Sequence, residues 1–149
     1  MKMQLSILRS QSGSSLIEVA VALPVLLLIL TGIVDFGRAY YYANEVEGAA
    51  HAGAVYGTQF PTNTANMVAA ATANAPDVSG ISATASYGCE CQDGTNASAS
   101  CTSTPSCTTN IVYYVTVTAA ASFHPLLPWP GIPNPINITH SVTMRSGIG

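Results

Sequence analysis

The sequence predicts an α+β fold: one long N-terminal helix, then a small domain with a short helix and an antiparallel β-sheet. Two observations carry this prediction. The one long apolar run lies near the N-terminus, whereas alternating, β-branched segments are confined to the second half of the chain. Charged residues make up only 7% of the chain, against about 25% in ordinary soluble domains. The net charge of −3 and the lack of a Lys/Arg cluster argue against nucleic acid as a partner.

The apolar run covers residues 16–34, and Glu18 is its only charged residue. At ~1.5 Å per residue the run spans roughly 28 Å as a helix, close to the thickness of a bilayer's hydrocarbon core. We therefore expect a transmembrane segment at residues 16–36, as the inner half of a helix over residues 14–57. Pro24 lacks an N–H and collides with the carbonyl of the preceding turn, so it predicts a kink.

The charges around the run predict its orientation. Lys2 and Arg9 precede it, and no acid comes before Glu18. By the positive-inside rule the N-terminus is cytoplasmic and the remainder lies outside, in a single pass. A simple secretory signal is the alternative, but its apolar region has about 7–15 residues, whereas this run is longer and no turn signal follows it before Thr58. Residues 1–13, which are short, basic and polar, resemble a removable leader.

The external domain is expected at residues 58–149. Residues 65–75 predict a short helix that ends at Pro76. Strands are expected over residues 81–89, 111–123 and 136–144, where β-branched and aromatic residues alternate with smaller ones. Residues 124–135 contain five prolines, which cannot donate to a β-ladder, so this segment is a crossing loop or a sheet edge. The pattern does not predict the strand order.

The four cysteines lie close together, in a loop at residues 89–107. An even number of cysteines in an external domain indicates disulfides, with three possible connectivities. Zinc is the alternative, but the spacing C-x-C-x9-C-x5-C lacks a pair of C-x2-C knuckles. We favour disulfides and expect no metal. The disulfide candidates are Cys89, Cys91, Cys101 and Cys107.

The outer half of the helix carries small residues at intervals of four, namely Ala49, Gly53 and Gly57. Such a face lets two backbones approach closely. It seats the helix on its own β-domain, on another subunit, or on both.

Two further features allow two interpretations each. Asp35 and Arg38 are three apart on the helix and can pair at the outer membrane surface, either as an exposed anchor pair or as an outer interface pair that contacts another subunit. Leu126, Leu127 and Trp129 in the proline-rich segment form a partner-binding patch or cap the apolar face of the sheet. We favour the cap.

Glu18 is the residue that most needs an explanation, because a carboxylate in hydrocarbon is costly unless it is paired. If the chain is cut between Gly13 and Ser14, a new α-amine lies four residues before Glu18. In a bundle of such helices this ammonium on one subunit can meet the Glu18 carboxylate of the next. The pair would set the axial register of the subunits, and we assign assembly and register to Glu18 and Pro24.

A basic leader, a glycine, four residues, a glutamate and then an apolar helix form the prepilin-peptidase signature. Residues 13–57 resemble the TadE-like pseudopilins of the Tad (tight adherence, Flp pilus) system, with a Glu-containing run ending in L-P, then G-x-x-[DE]-F-G-R and A-A-x-x-G-A. Residues 123–146, a proline-rich crossing before a final strand, resemble the end of that family. The matching helix residues are Glu18, Pro24, Gly32, Asp35, Phe36, Gly37, Arg38, Ala49, Ala50, Gly53 and Ala54.

The resemblance implies a pilin-like fold and a minor pseudopilin subunit, processed by a prepilin peptidase, that takes part in Tad/Flp pilus biogenesis and adherence. The implied partners are the prepilin peptidase, other pilin or pseudopilin subunits, the Tad inner-membrane assembly machinery and membrane lipid. The implied location is the inner (cytoplasmic) membrane, with a cytoplasmic N-terminus and a periplasmic or extracellular C-terminal domain, or incorporation in the pilus.

An enzyme is the contrasting class. The sequence has no G-x-S-x-G, no H-E-x-x-H and no phosphate loop, so we expect neither catalysis, nor a cofactor, nor a small-molecule substrate. The remaining alternative is a single-pass, membrane-anchored cell-envelope binding domain that is not processed or polymerised.

Overall fold

The computed structural model describes residues 12–98, 101 and 106–147, and therefore not residues 1–11 of the expected leader. It confirms the α+β prediction. The elements, in chain order, are α1 (Ser12–Gln59), α2 (Thr64–Asn74), β1 (Ser82–Cys91), β2 (Ile111–Phe123) and β3 (Ile136–Arg145).

Helix α1 has 48 residues and is therefore about 72 Å long. Pro24 lies within this continuous helix, and the kink that we expect there stays a prediction. The first half of α1 projects away from the rest of the chain, whereas Val46, Ala49 and Ala50 in its second half are fully buried. The first half of α1 thus forms an apolar stem, and its second half forms part of the core of the domain.

Helix α2 is short and begins with a side-chain cap. The carboxamide oxygen of Asn63 accepts a hydrogen bond from the backbone N–H of Asn66 at 3.2 Å, which satisfies one of the free N–H groups of the first turn. Met67 and Ala71 are its buried residues. The helix ends at Asn74, two residues before Pro76.

The three strands form an antiparallel sheet in the order β1-β2-β3. Val117 at the centre of β2 lies opposite Ala85 on β1 and Val142 on β3. Strand β2 has the bounds that the sequence predicts, and its central place fits its density of β-branched and aromatic residues. Residues 124–135 are the loop between the neighbouring antiparallel strands β2 and β3. They form a loop, as predicted, but they do not cross the sheet.

The core lies between one face of the sheet and the two helices. Every second residue of β2 from Val115 to Phe123 points inward and is buried. Val115 and Val117 contact the buried side chains of α1 and α2, including Met67. Because side chains alternate between the two faces of a strand, every second residue of β2 packs against the helices.

The opposite face of the sheet is polar and carries rows of hydroxyl groups. Thr116 and Thr143 share a hydrogen bond of 2.8 Å, and Thr118 and Ser141 one of 3.0 Å. Cross-strand pairs of this kind stabilise neighbouring strands.

Two disulfides close the loop between β1 and β2. Cys89 pairs with Cys101 and Cys91 with Cys107, at Cα–Cα distances of 5.4 Å and 5.5 Å. The structure thus confirms the disulfides and selects one of the three connectivities. In the same loop Thr95 donates its hydroxyl and its N–H to Asp93, and these hydrogen bonds lower the pKa of Asp93.

Candidate functional site

The inner half of α1 exposes an apolar surface along its whole length. Between residues 16 and 34 every Leu, Ile and Val side chain is at least 50% exposed. Among the described residues, α1 is the one helix long and apolar enough to cross a membrane. Full burial of a side chain of this size contributes about 1.5–3 kcal/mol. So many exposed aliphatic groups require lipid or other helices around them.

Glu18 interrupts this apolar surface. Its side chain is exposed, and no residue among 12–98, 101 and 106–147 forms an ion pair with it. Gly13 and Ser14 lie in the first turn of the same helix. A single copy of the chain therefore brings no described residue to Glu18, and any partner for its carboxylate has to come from elsewhere.

The small residues of the outer half of α1 lie against the rest of the same chain. A Cβ atom built on Gly53 would lie 2.8 Å from the carbonyl oxygen of Met67 and 2.9 Å from Cγ1 of Val117. One built on Gly57 would lie 2.8 Å from Cγ2 of Val115. Ala49 is fully buried. The structure shows that this face of α1 rests on its own α2 and sheet; an additional contact with another subunit stays a prediction.

Asp35 marks the point where the apolar segment meets the domain, and it is only 5% exposed. Its carboxylate accepts hydrogen bonds from the backbone N–H of Leu126, at 2.9 Å and 3.0 Å to the two oxygens. The indole Nε1–H of Trp129 donates a third at 2.9 Å. Asp35 thus ties the proline-rich loop, residues 124–135, to α1.

Arg38 completes the surroundings of this carboxylate. Its Nη1 lies 3.3 Å from Oδ1 of Asp35, and its guanidinium lies 5.3 Å from the centre of the Phe123 ring. A buried carboxylate is costly unless charged or polar donors surround it, and charge-assisted hydrogen bonds are the stronger kind. The predicted Asp35–Arg38 pair therefore exists within one chain, where it supports a loop; a contact with another subunit stays a prediction.

The indole ring of Trp129, which belongs to the proline-rich loop, packs against α1 beside Gly32. A Cβ built on Gly32 would lie 3.4 Å from the indole ring, so a glycine here gives the ring room. Between the loop and α1 is an apolar groove of about 240 Å³. Its lining residues are Gly32, Asp35, Phe36, Ala39, Phe123, Pro125, Trp129, Ile132 and Ile136. Leu126 and Leu127 are 58% and 40% exposed, so the loop presents them to the surroundings. The favoured prediction that they cap the apolar face of the sheet is therefore wrong for these two leucines.

The sequence analysis singled out Asp35 and Trp129 but missed the hydrogen bonds between the carboxylate and the loop. Asp35 and Trp129 are 94 residues apart, and nothing local pairs them. The available signal was an acid at the end of an apolar run together with a tryptophan, which needs an acceptor for its N–H, in a segment poor in N–H groups. That signal becomes specific only once the fold brings the loop to the helix.

The comparisons with known proteins bear on the same helix. The model of the family described as TadE-like protein matches residues 13–55. Searches of curated proteins and of solved structures return no match. The matched stretch contains Glu18, the Asp35–Arg38 pair and most of the small-residue face. Over residues 13–55 the chain is therefore similar to the TadE-like protein family.

Proposed function

We propose that the chain is a minor pilin-like (pseudopilin) subunit, cut by a prepilin peptidase between Gly13 and Ser14, that takes part in Tad (Flp) pilus biogenesis and adherence. One observation carries the proposal. The TadE-like match falls on a helix whose inner half exposes only one carboxylate, Glu18, within a continuous apolar surface.

Cleavage would supply a positive charge to pair with the Glu18 carboxylate. The new α-amine of Ser14 has an ordinary pKa of about 7.7–8 and carries a positive charge at neutral pH. When two helices lie side by side, this ammonium on one subunit and Glu18 on the next neutralise each other in a medium without water. Only one axial offset brings the two groups together, so the pair selects the register of the subunits.

The orientation of the helix supports the same function. Lys2 and Arg9 precede the apolar segment, which favours a cytoplasmic N-terminus. The cleavage site then lies at the cytoplasmic face of the inner membrane, and the domain lies on the opposite side. Assembly partners are expected to be other pilin or pseudopilin subunits and the inner-membrane machinery of the Tad system.

The first residue of the mature protein tests this proposal. The chain is purified from cells with and without the peptidase, and its intact mass and N-terminal sequence are determined. We expect a chain that begins at Ser14 only when the peptidase is present. Retention of residues 1–13 in both strains would contradict the proposal and favour a membrane-anchored envelope domain that is never processed.

A further inference from the structure

We propose that the proline-rich loop, residues 124–135, is a second membrane contact, whose exposed apolar side chains enter the interfacial layer of the bilayer beside α1. The proposal goes beyond the pseudopilin function, because it concerns how the domain sits on the membrane whether or not the chain is cut.

The proline-rich loop contacts α1 near the outer end of the apolar run. The carboxylate of Asp35 binds the loop through Leu126 and Trp129, and the indole ring reaches Gly32. Gly32 lies inside the apolar run of residues 16–34, which is about as long as a bilayer's hydrocarbon core is thick. If α1 crosses a membrane over this run, the loop lies at the level of its outer surface.

The loop and the adjoining turns of α1 expose large apolar side chains. Leu126, Leu127 and Ile132 are 58%, 40% and 49% exposed, and on the adjoining turns of α1 Phe36 and Tyr40 are 76% and 65% exposed. Residues 124–135 contain no Asp, Glu, Lys or Arg. Aliphatic side chains together with Trp and Tyr are typical of groups that lie at a membrane interface.

The backbone of the loop has a reduced number of N–H groups, because five of its residues are prolines. An N–H group that enters a water-poor layer needs an acceptor, and the five prolines of residues 124–135 have none to satisfy. The N–H of Leu126 is bonded to Asp35, and that of Ile132 to the carbonyl of Trp129 at 3.2 Å. Of the twelve loop residues, five therefore have no N–H and two more have an N–H with an acceptor, which lowers the number of donors that the interface has to satisfy.

Lipid is the occupant that these observations favour over a second copy of the chain. The exposed side chains of the loop continue the apolar surface of α1, which itself needs an apolar environment along residues 16–34. A loop that is hydrogen-bonded to Asp35 and packs beside Gly32 on a membrane-spanning helix lies at the interface.

The chain has a single tryptophan, Trp129, which makes its fluorescence a direct probe of the loop. The full chain is reconstituted in zwitterionic phosphatidylcholine vesicles whose acyl chains carry bromine either near the glycerol or near the methyl end. We expect a large loss of Trp129 emission with the shallow bromines, a smaller loss with the deep ones, and little quenching by iodide in the buffer.

A double variant tests the side chains themselves. Leu126→Asp with Leu127→Asp changes two exposed groups, and we expect weaker bromine quenching and stronger iodide quenching. Thr84→Asp with Thr139→Asp is the control, because it adds the same two charges at exposed positions on the outer face of the sheet; we expect it to leave Trp129 quenching unchanged.

Four outcomes would overturn the proposal. One is quenching of the unaltered chain by iodide and not by brominated lipid. Another is bromine quenching that the Leu126→Asp, Leu127→Asp variant leaves unchanged. Protection from both quenchers that strengthens with protein density would instead indicate a second copy, and release of the chain by alkaline carbonate would show that α1 is not embedded. A chain that keeps residues 1–13 but shows the expected quenching contradicts only the pseudopilin function.

Discussion

Glu18 and Asp35 lie near opposite ends of the apolar segment of α1. Asp35 receives three hydrogen bonds and an ion pair from its own chain, so folding alone compensates its burial. Glu18 is exposed on the apolar surface, with no ion-pair partner among the described residues. The same side-chain chemistry thus serves internal architecture at one position and, in our proposal, contact between subunits at the other.

Replacing the residue before the proposed cut tests its recognition. If the proposed cut is right, Gly13→Ala should slow or block processing, because the prepilin-peptidase signature that the sequence resembles has glycine at this position. Gly37→Ala is the matched control, since a Cβ at Gly37 meets no atom within 4 Å. The ratio of precursor to mature chain is measured by intact mass. Normal maturation of Gly13→Ala would count against the assigned cleavage site.

Removing the carboxylate of Glu18 tests its role in assembly. Glu18→Ala should leave membrane insertion intact, because it makes the apolar segment more hydrophobic, and should impair incorporation into fibres. Carbonate extraction reports insertion, and immunoblotting of sheared fibres reports assembly. Glu47→Ala, an exposed acid in the outer half of α1, is the control. Fibres that form as well with Glu18→Ala as with Glu47→Ala would refute the register argument.

Removing the carboxylate of Asp35 tests the loop contact. Asp35→Ala leaves the partly buried N–H groups of Leu126 and Trp129 without their acceptor. This costs about 1–3 kcal/mol for a fully buried donor, and less here because water can reach these groups in part. We expect lower stability in urea and a shift in Trp129 emission before the domain unfolds, whereas Glu47→Ala should change neither. An Asp35→Ala chain with unaltered stability and emission would show that the carboxylate does not hold the loop.

At the scale of elements, α1 depends on small residues where it meets α2 and the sheet. Glycine at positions 53 and 57 gives Met67, Val115 and Val117 the space that they occupy. The sequence predicts this face but cannot select its partner, because spacing by four is equally suited to a second helix of another subunit. The buried surface of the chain's own domain decides between the two.

Filling this space should destabilise the domain. Gly53→Ala places a Cβ against the Met67 carbonyl and Val117, and overpacking of this kind costs about 1–3 kcal/mol. Gly37→Ala should instead gain about 0.5–1 kcal/mol, because alanine is the better helix former and its Cβ meets open space. Urea midpoints of the two variants in detergent check the difference. Equal midpoints would show that the α1–domain contact is looser than described.

The elements themselves follow from local patterns, whereas their arrangement does not. The bounds of β2 can be predicted from alternation between residues 111 and 123, and α2 from its stop at Pro76. The order of the strands and the pairing of the cysteines depend on contacts between segments distant in sequence. The hydrophobic pattern within one segment does not predict such contacts. The same limit explains why sequence reasoning found Asp35 and Trp129 separately but did not join them.

At the scale of the whole molecule, the chain combines an unpartnered apolar stem with a domain that folds on the other half of the same helix. In our proposal, lipid covers the stem before assembly and other helices cover it within a fibre. Its single carboxylate makes the exchange of lipid for a neighbour favourable in one register only.

Carbodiimide cross-linking tests that claim most directly, because it joins a carboxylate to an amine only when the two are in contact. Fibres are assembled from a mixture of ¹⁴N- and ¹⁵N-labelled chains, treated with an apolar carbodiimide and analysed by peptide mass spectrometry. The account predicts an amide between the α-amine of Ser14 and the Glu18 carboxylate, with one light and one heavy partner. A Ser14–Glu18 amide found only within single chains, or none at all in intact fibres, would contradict it.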